Sequence, residues 1–556
     1  MLGLGRLGFA VASPLREESE MLRKLLIACS SMVLLLTMGA TSAAAHAVPS
    51  VVNPGFETDG APVQSPSGWT TSGLKSADFT EAGGPTSGFE LTHTASVPFM
   101  VETTQRLTHL DPGWYTLRVS VERSTGQNDA WIGLQDCGGE SAQTAVPVAP
   151  WWVQVVVSTF VSDRSCTIVL HTRAAAGEWT RFDDVQFVSG AARLSILGAD
   201  VSSLNKSEAL GGVYRTASGR PGDALEILKD HGLNWIRLRV FVNPADGYHG
   251  TPELLKMARE AKRLGLHVLV DLHYSDFWAD PGKQWTPAAW QGETFAQIKQ
   301  TFTDYTRGIM LALKAQGTPP DMIQLGNEIT PGMLWDYAAT WTGCSTADDG
   351  TSDPPVNLTV CHTENWDQLS QLLTAGYQTV KSVSPRTKVM LQLDAGGNNG
   401  TYQWWFGNIT SRNVPFDVIG ASYYSYWHGT LADLQYNLND VTARYGKDVV
   451  VVETAYPFTL ANNDGTGNSI GLASQLVPGY PATPAGQAAN FRDVMSIVRA
   501  VPNGKGLGVF YWDATWTAVP GNGWSPRNPA SGNAWENQAL FDFNNRPTPA
   551  MSDFRP

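Results

Sequence analysis

From Arg193 onward, short apolar runs rich in β-branched residues alternate with stretches of helical periodicity, and eight such runs can be read. They are Ser195–Val201, Asn234–Val240, His267–Leu272, Asp321–Leu325, Lys388–Leu393, Asp417–Ser422, Asp448–Val452 and Gly506–Tyr511. Helical stretches such as Pro221–His231 and Pro252–Leu264 lie between them. Parallel strands need a long crossover, usually a helix, to follow one another. Eight such units predict an α/β fold, a closed (β/α)8 or TIM barrel. A doubly wound sheet would want a Gly-x-Gly-x-x-Gly turn after the first run, and there is none. No solenoid-type repeat is visible.

Residues 48–190 follow a different period. Thr116–Val121, Val153–Val157, Cys166–Leu170 and Asp184–Phe187 alternate apolar and polar residues between turns, with no amphipathic helix among them. This predicts an all-β sandwich ahead of the barrel. Ser189-Gly190-Ala191-Ala192 is a small-residue junction, read here as a flexible tether. The expected organisation is an upstream segment and secretory signal peptide over 1–47, a β-sandwich module over 48–190 and the barrel over 191–556.

Met21-Leu22-Arg23-Lys24 is a positive n-region, Leu25 to Met38 is apolar, and Ala45-His46-Ala47 fits a signal cleavage site. The apolar run is too short to span a bilayer. Met21 is as good a start as Met1. The chain is therefore expected to be secreted, with no membrane partner once the signal is removed. Cys29 would leave with the signal. Four cysteines remain, and an even count in an exported chain suggests two local disulfides, Cys137–Cys166 and Cys344–Cys361. They lack the close spacing of a zinc site. The net charge is −13, which argues against a nucleic-acid partner. Trp 20, Tyr 16 and Phe 20 on a weakly charged chain would suit a surface that stacks on neutral rings. A monomer is expected.

The chemistry is read from two strand ends. Glu328 follows Asp321–Leu325 in Leu325-Gly326-Asn327-Glu328, and Glu453 ends Val449-Val450-Val451-Val452-Glu453. They stand at the fourth and seventh strands. In a barrel the C-terminal strand ends carry the chemistry. A metalloprotease signature is missing, since no His-Glu-x-x-His occurs, and no Gly-x-Ser-x-Gly elbow supports a serine hydrolase.

Seven blocks in order resemble family 53 of the glycoside hydrolases, the endo-β-1,4-galactanases: Gly198 to Ser203, Trp235 to Pro244, Asp271 to Pro281, Leu325 to Glu328, Ser422 to Tyr424, Glu453 to Tyr456, and Gly508 to Trp512. The resemblance implies a retaining glycosidase with Glu328 as proton donor and acid/base and Glu453 as nucleophile. In such enzymes the two carboxyls stand roughly 5–5.5 Å apart. The charge of Glu453 would raise the pKa of Glu328, and the raise would vanish once Glu453 is esterified. By the same resemblance Asn327 would donate to the sugar 2-hydroxyl. Arg239 would hold Glu453 ionised, with Tyr424, or Tyr423 or Tyr426 in its place, bonded to the same carboxylate. Trp512 would floor the cleaved sugar, and Asp200, His273, Asp276 and Trp278 would line the cleft.

The chemistry needs no cofactor, but structural calcium is expected at two places. Bacterial members of the family bind it in the loop after strand seven, here Asn462, Asp464 and Asn468, joined by Glu536 from the loop after strand eight. Asn462 and Thr466 stand where an Asp and a His are common, so a weaker site is expected. The opening Asn53-Pro54-Gly55-Phe56-Glu57 and the closing Arg181-Phe182-Asp183-Asp184-Val185 resemble jelly-roll carbohydrate-binding modules, where Glu57 and Asp184 would share a calcium. Trp69, Trp131, Trp151, Trp152 and Trp179 would serve a targeting module whose removal leaves turnover of short soluble substrates intact. The polysaccharide partner expected is β-1,4-galactan. A β-mannanase or xylanase of the same clan is the alternative enzyme, and a sugar-binding protein with a dead barrel is the alternative of another class. Asn327 and Arg239 beside both glutamates favour a live enzyme.

Overall fold

Each of the eight β-branched runs forms a strand, and the eight close on themselves in the computed structural model. They are Ile196–Asp200, Trp235–Val240, His267–Leu272, Met322–Leu325, Lys388–Leu393, Val418–Ser422, Asp448–Thr454 and Gly506–Tyr511. Neighbours are parallel throughout, and Ile196 against Gly508 closes the ring. The structure describes residues 50–554, apart from Ser87, residues 349–356 and Pro529. The signal peptide read at Met21–Ala47, with Cys29, lies outside the described residues. Among the described residues no helix is long and apolar enough to cross a membrane.

The barrel interior is layered. Ile196, Leu269, Met322, Met390, Val418, Val450 and Phe510 form an apolar plug drawn from seven strands. Nearer the strand ends the inward residues turn polar: Arg237, Asp271, Gln324 and Gln392 are all buried. A much larger apolar cluster lies between the strands and the surrounding helices and holds the ring from outside. After strand four the chain makes the hairpin Gly343–Asp348 and Asn357–His362, where Cys344 faces Cys361. Both expected disulfides, Cys137–Cys166 and Cys344–Cys361, are formed.

Ahead of the barrel lie two antiparallel sheets of five strands each. The four strands read from sequence fall inside Gly113–Arg123, Ala149–Val161, Ser165–Ala174 and Trp179–Ser189. The sheets share one apolar core that includes Leu117, Val119, Ile132, Leu134, Ile168 and Phe182.

Two expectations for this region are corrected. The junction is no free tether, because Ala192 N donates to Thr116 Oγ1 at 2.9 Å and Gly190 N to Trp114 O at 2.7 Å. Nor do the sheets stand apart from the barrel. Ala149–Val161 is an edge strand lying against helices Leu431–Tyr445 and Pro484–Ala500. The Gln435 side chain accepts from Gln154 N at 2.7 Å and donates to Gln154 O at 2.6 Å. Two residues on, Ser496 Oγ accepts from Val156 N and donates to Val156 O. Asp493 accepts from Thr144 Oγ1 and Ala145 N on the edge of the other sheet. The second correction concerns the aromatics. Trp69 and Trp131 are buried, and Arg181 lies over the Trp179 ring at 4.6 Å. Trp151 and Trp152 border an open groove.

Candidate active site

Glu328 stands just past strand four on a tight turn. Gly326 takes a left-handed backbone (φ 81), and a Cβ there would meet Ile329 Cγ2 at 2.5 Å. Glu328 itself is left-handed (φ 47), a conformation costly for a residue with a side chain and concentrated at functional sites. A row of polar side chains from strands four to six secures it. Glu328 N donates to Gln392 Oε1, which also accepts from Gln324 Nε2 at 3.1 Å. Gln392 Nε2 in turn donates to Ser422 Oγ at 2.6 Å.

Glu453 ends strand seven in the same cleft and is held differently. Arg237 Nη1 meets its Oε1 at 2.8 Å, and the Tyr424 hydroxyl donates to its Oε2 at 3.0 Å. Burial pushes both glutamates up, as desolvation does to any carboxylate. For Glu328, burial is the largest cause, with the Glu453 and Asp394 charges adding to it. For Glu453, Arg237 and Tyr424 pull back against burial. Glu328 is therefore the better proton holder and Glu453 the better anion. This corrects the expectation that the Glu453 charge alone raises Glu328: esterifying Glu453 would remove only part of the shift.

The arginine that holds Glu453 is Arg237, where Arg239 was expected. Both point to the same side of strand two, being two residues apart. Arg237, deeper by one pair, also binds Asp200 Oδ2 (3.3 Å), Asp271 Oδ2 (2.9 Å) and Asn327 Oδ1 (2.8 Å). Arg239, at the strand end, turns to Asp513 Oδ2 at 2.7 Å and lies over the Trp278 ring at 4.2 Å. Burial raises Asp513 to about 6 even with Arg239 beside it.

Two other expectations are corrected. Asp200 does not line the cleft: it is fully buried between the two arginines, within 3.3 Å of Arg237 and 3.6 Å of Arg239. Asp276 is spent on loop backbone, accepting from Asn243 N in the loop after strand two and from Ala288 N in its own loop. Asp280, four residues on, takes the place at the cleft. His273, Trp278, Asn327, Tyr424 and Trp512 do border it. His273 Nδ1 accepts from Ala279 N, which leaves Nε2 to donate to Asp271 at 3.0 Å. Asn327 Nδ2 donates to Ala279 O at 2.8 Å.

The cleft has a volume of about 310 Å³. Sequence reasoning missed Asp394, Trp427 and His428 after strands five and six, and Trp524 and Trp535 after strand eight, which all border it. Trp278 stacks on Trp524 with centroids 4.6 Å apart, and Trp512 meets Trp535 edge-on at 4.7 Å. The missed signal for Arg237 was its position: a charge in mid-strand of a closed barrel must find its partner inside.

At the loop after strand seven, Glu536 Oε1 accepts from Asn463 N, while its Oε2 and Asn468 Oδ1 are buried without a donor. Burial, with Asp464 nearby, pushes Glu536 up to about 7. Oxygen acceptors lacking donors beside a second carboxylate fit a hard cation such as calcium. Among the described residues no three His, Cys, Asp or Glu converge on a metal-sized site, so the charge available is low. In the sheet region, Glu57 accepts from Phe89 N and Asp184 from Thr86 Oγ1, which already serve part of each carboxylate.

Residues 196–554 match the family model for glycosyl hydrolase family 53. The chain is 33% identical over 405 residues to the endo-beta-1,4-galactanase of Bacillus subtilis (strain 168), covering 67% of this chain and 88% of that protein. It is 32% identical over 331 residues to the arabinogalactan endo-beta-1,4-galactanase of Thermothelomyces thermophilus, covering 58% and 90%. Among solved structures, the Ignisphaera aggregans GH53 catalytic domain superposes with a TM-score of 0.58 at 36% identity, over 66% of this chain and 96% of that one.

Proposed function

Because the chain belongs to glycosyl hydrolase family 53, and is therefore a glycoside hydrolase, we propose that it is a secreted endo-β-1,4-galactanase acting on the galactan and type I arabinogalactan side chains of pectin with retention of anomeric configuration. The observation that carries this reading is the unequal pair at strands four and seven. Glu453 is paired with Arg237 and Tyr424, and Glu328 is buried with no ion-pair partner among the described residues. The galactanase names of the relatives support the choice of sugar.

In this reading Glu453 attacks the anomeric carbon while Glu328 gives its proton to the departing glycosidic oxygen. A glycosyl ester on Glu453 results. Glu328, now a carboxylate, takes a proton from water, the water oxygen attacks the same carbon, and Glu453 leaves. Arg237 and Tyr424 keep Glu453 anionic and aimed. Asn327, fixed by Arg237 and Ala279 O, is placed to bind the 2-hydroxyl through its remaining N–H. Trp512 would underlie the cleaved sugar. Calcium, where bound at Asn462, Asp464, Asn468 and Glu536, would brace the loops after strands seven and eight and take no part in the chemistry. The sheet region is read as a carbohydrate-binding module.

The test is turnover of linear β-1,4-galactan, β-mannan and xylan side by side, with proton NMR of the first products. Activity on galactan with an initial β-anomer is expected. Preference for mannan or xylan would overturn the substrate, and an initial α-anomer would overturn the nucleophile.

A further inference from the structure

A groove of about 860 Å³ runs between the sheet region and the barrel. Trp151 and Trp152 wall one side, and Asn398, Trp427, His428 and Tyr436 are among those walling the other. Trp427 and His428 also border the cleft that holds Glu328 and Glu453, so the groove and the cleft adjoin. We propose that this groove is a distal subsite that binds further backbone sugars of the substrate on the leaving-group side of the scissile bond. The proposal rests on the glycosidase reading above.

The aromatic exposure is the first argument. Trp151 is 41% exposed, Trp427 54% and Tyr436 57%, where rings of this size are normally covered. An amphipathic aromatic wall suits partners with apolar faces and polar edges. The charge is the second. Asp433 is the one carboxylate in the lining, and it is committed to capping its own helix through Thr430 N and Oγ1. Burial lowers His428 below its usual range, so the wall carries no cation for an anionic ligand. A neutral, hydroxylated chain fits such a lining.

The third argument is how the tryptophans come to be there. Val121 pairs with Val153 but Arg123 pairs with Ala149, so Pro150, Trp151 and Trp152 bulge opposite Glu122 alone. Successive residues of a regular strand face opposite ways, whereas a bulge re-aims them. Here both rings reach one groove. The bulge is also fixed to the barrel, because Gln154 and Val156, just beyond it, bond to Gln435 and Ser496. Binding to a preset wall spends less entropy than binding to a tethered one.

The side of the bond follows from Glu328. Its carboxyl must face the oxygen that departs, and its flank is built by Gln392 of strand five, Asp394 just past that strand, then Trp427 and His428. Trp512 stands after strand eight, so the cleaved sugar lies there and the leaving sugars extend toward the groove.

The test uses the full chain with Trp151→Ala, the double variant Trp151→Ala/Trp152→Ala, and Tyr436→Ala on the barrel wall. Substrates are an aryl β-galactobioside and β-1,4-galacto-oligosaccharides of increasing length labelled at the reducing end. On the long substrates kcat/KM should fall about tenfold in each variant. The cleaved bond should move toward the reducing end. On the aryl substrate kcat/KM should stay at the wild-type value. Unchanged length dependence and bond choice in variants that melt like wild type would overturn the subsite, and a shift toward the non-reducing end would overturn its side. Tyr436→Ala keeps the test decisive should the bulge variants fail to fold. A wild-type protein inert on both substrate types would instead sink the glycosidase reading.

Discussion

The Arg237 guanidinium meets the Glu453 carboxylate at 2.8 Å, and Arg237 is only 1% exposed. The same guanidinium serves Asp200 and Asp271, so one cation stands among three carboxylates. In a buried network, removing one partner leaves charges unpaired and costs about 3–5 kcal/mol. Arg237→Lys keeps the charge but not the fork, and misplacing the nucleophile should cost roughly 10² in kcat/KM. Glu453 would lose part of the pull that lowers it, so the acid limb of the pH–rate profile should move to higher pH. Arg239→Lys should leave that limb where it is. An acid limb that follows Arg239 in place of Arg237 would refute the assignment.

The two glutamates should be separable by chemical rescue. Losing general acid/base help typically costs about 10²–10⁴ in rate. Glu328→Ala should be worst for substrates with poor leaving groups, and azide should partly restore turnover of aryl glycosides with a β-glycosyl azide as product. Glu453→Ala should be inactive on all substrates, and azide should yield the α-azide by direct attack. Swapped azide anomers would exchange the roles.

Glu328→Gln should make the protein more stable at pH 7 while removing most of its activity. The folded pKa of Glu328 is raised above its ordinary value of 4.5. Such an acid contributes fully below that value, and the contribution is lost as pH rises toward the folded pKa. The stability gain of Glu328→Gln should therefore be present at pH 7 and gone below about pH 4, near the unperturbed glutamate range. Denaturant midpoints across that interval read the effect. A variant less stable than wild type at pH 7 would count against the stated environment.

Calcium should stabilise the chain through Glu536, and more at high pH than at low. Metal ligands must be deprotonated, and Glu536 is pushed up to about 7. The calcium-dependent rise in Tm should thus be larger at pH 8 than at pH 6 and shrink in Glu536→Gln. At a hundredfold excess over Kd the stabilisation would be about 2.7 kcal/mol. Because Glu57 and Asp184 belong to the same chain, the difference between wild type and Glu536→Gln is the quantity to measure. Identical calcium responses in the two would leave the loop as an ordinary turn.

The barrel could be read because a strand buried on both faces must be apolar along its length, as Val449–Val452 is, and a glutamate ending such a run stands out. Depth could not be read. Arg237 and Arg239 face one side of one strand, and only the assembled ring decides which reaches strand seven. Asp276 and Asp280 show the same limit in a loop, where backbone N–H groups of Asn243 and Ala288 claim the first. The docking of sheets on helices left no trace either. Gln435 and Ser496 look like ordinary surface residues of amphipathic helices, and their partners lie 281 and 340 residues away.

That docking has a consequence for how the protein behaves at high concentration. The strand Ala149–Val161 is thirteen residues long and lies at the rim of its sheet, with Val153, Val155, Val156 and Val157 in its middle. A valine-rich rim of that length is the kind of template on which chains associate strand to strand. Gln435 and Ser496, on the helices Leu431–Tyr445 and Pro484–Ala500, occupy N–H and C=O groups of Gln154 and Val156 as a neighbouring strand would. Loosening either contact would uncover self-complementary backbone, so cohesion between the two halves of this chain also guards it against fibre-like self-assembly.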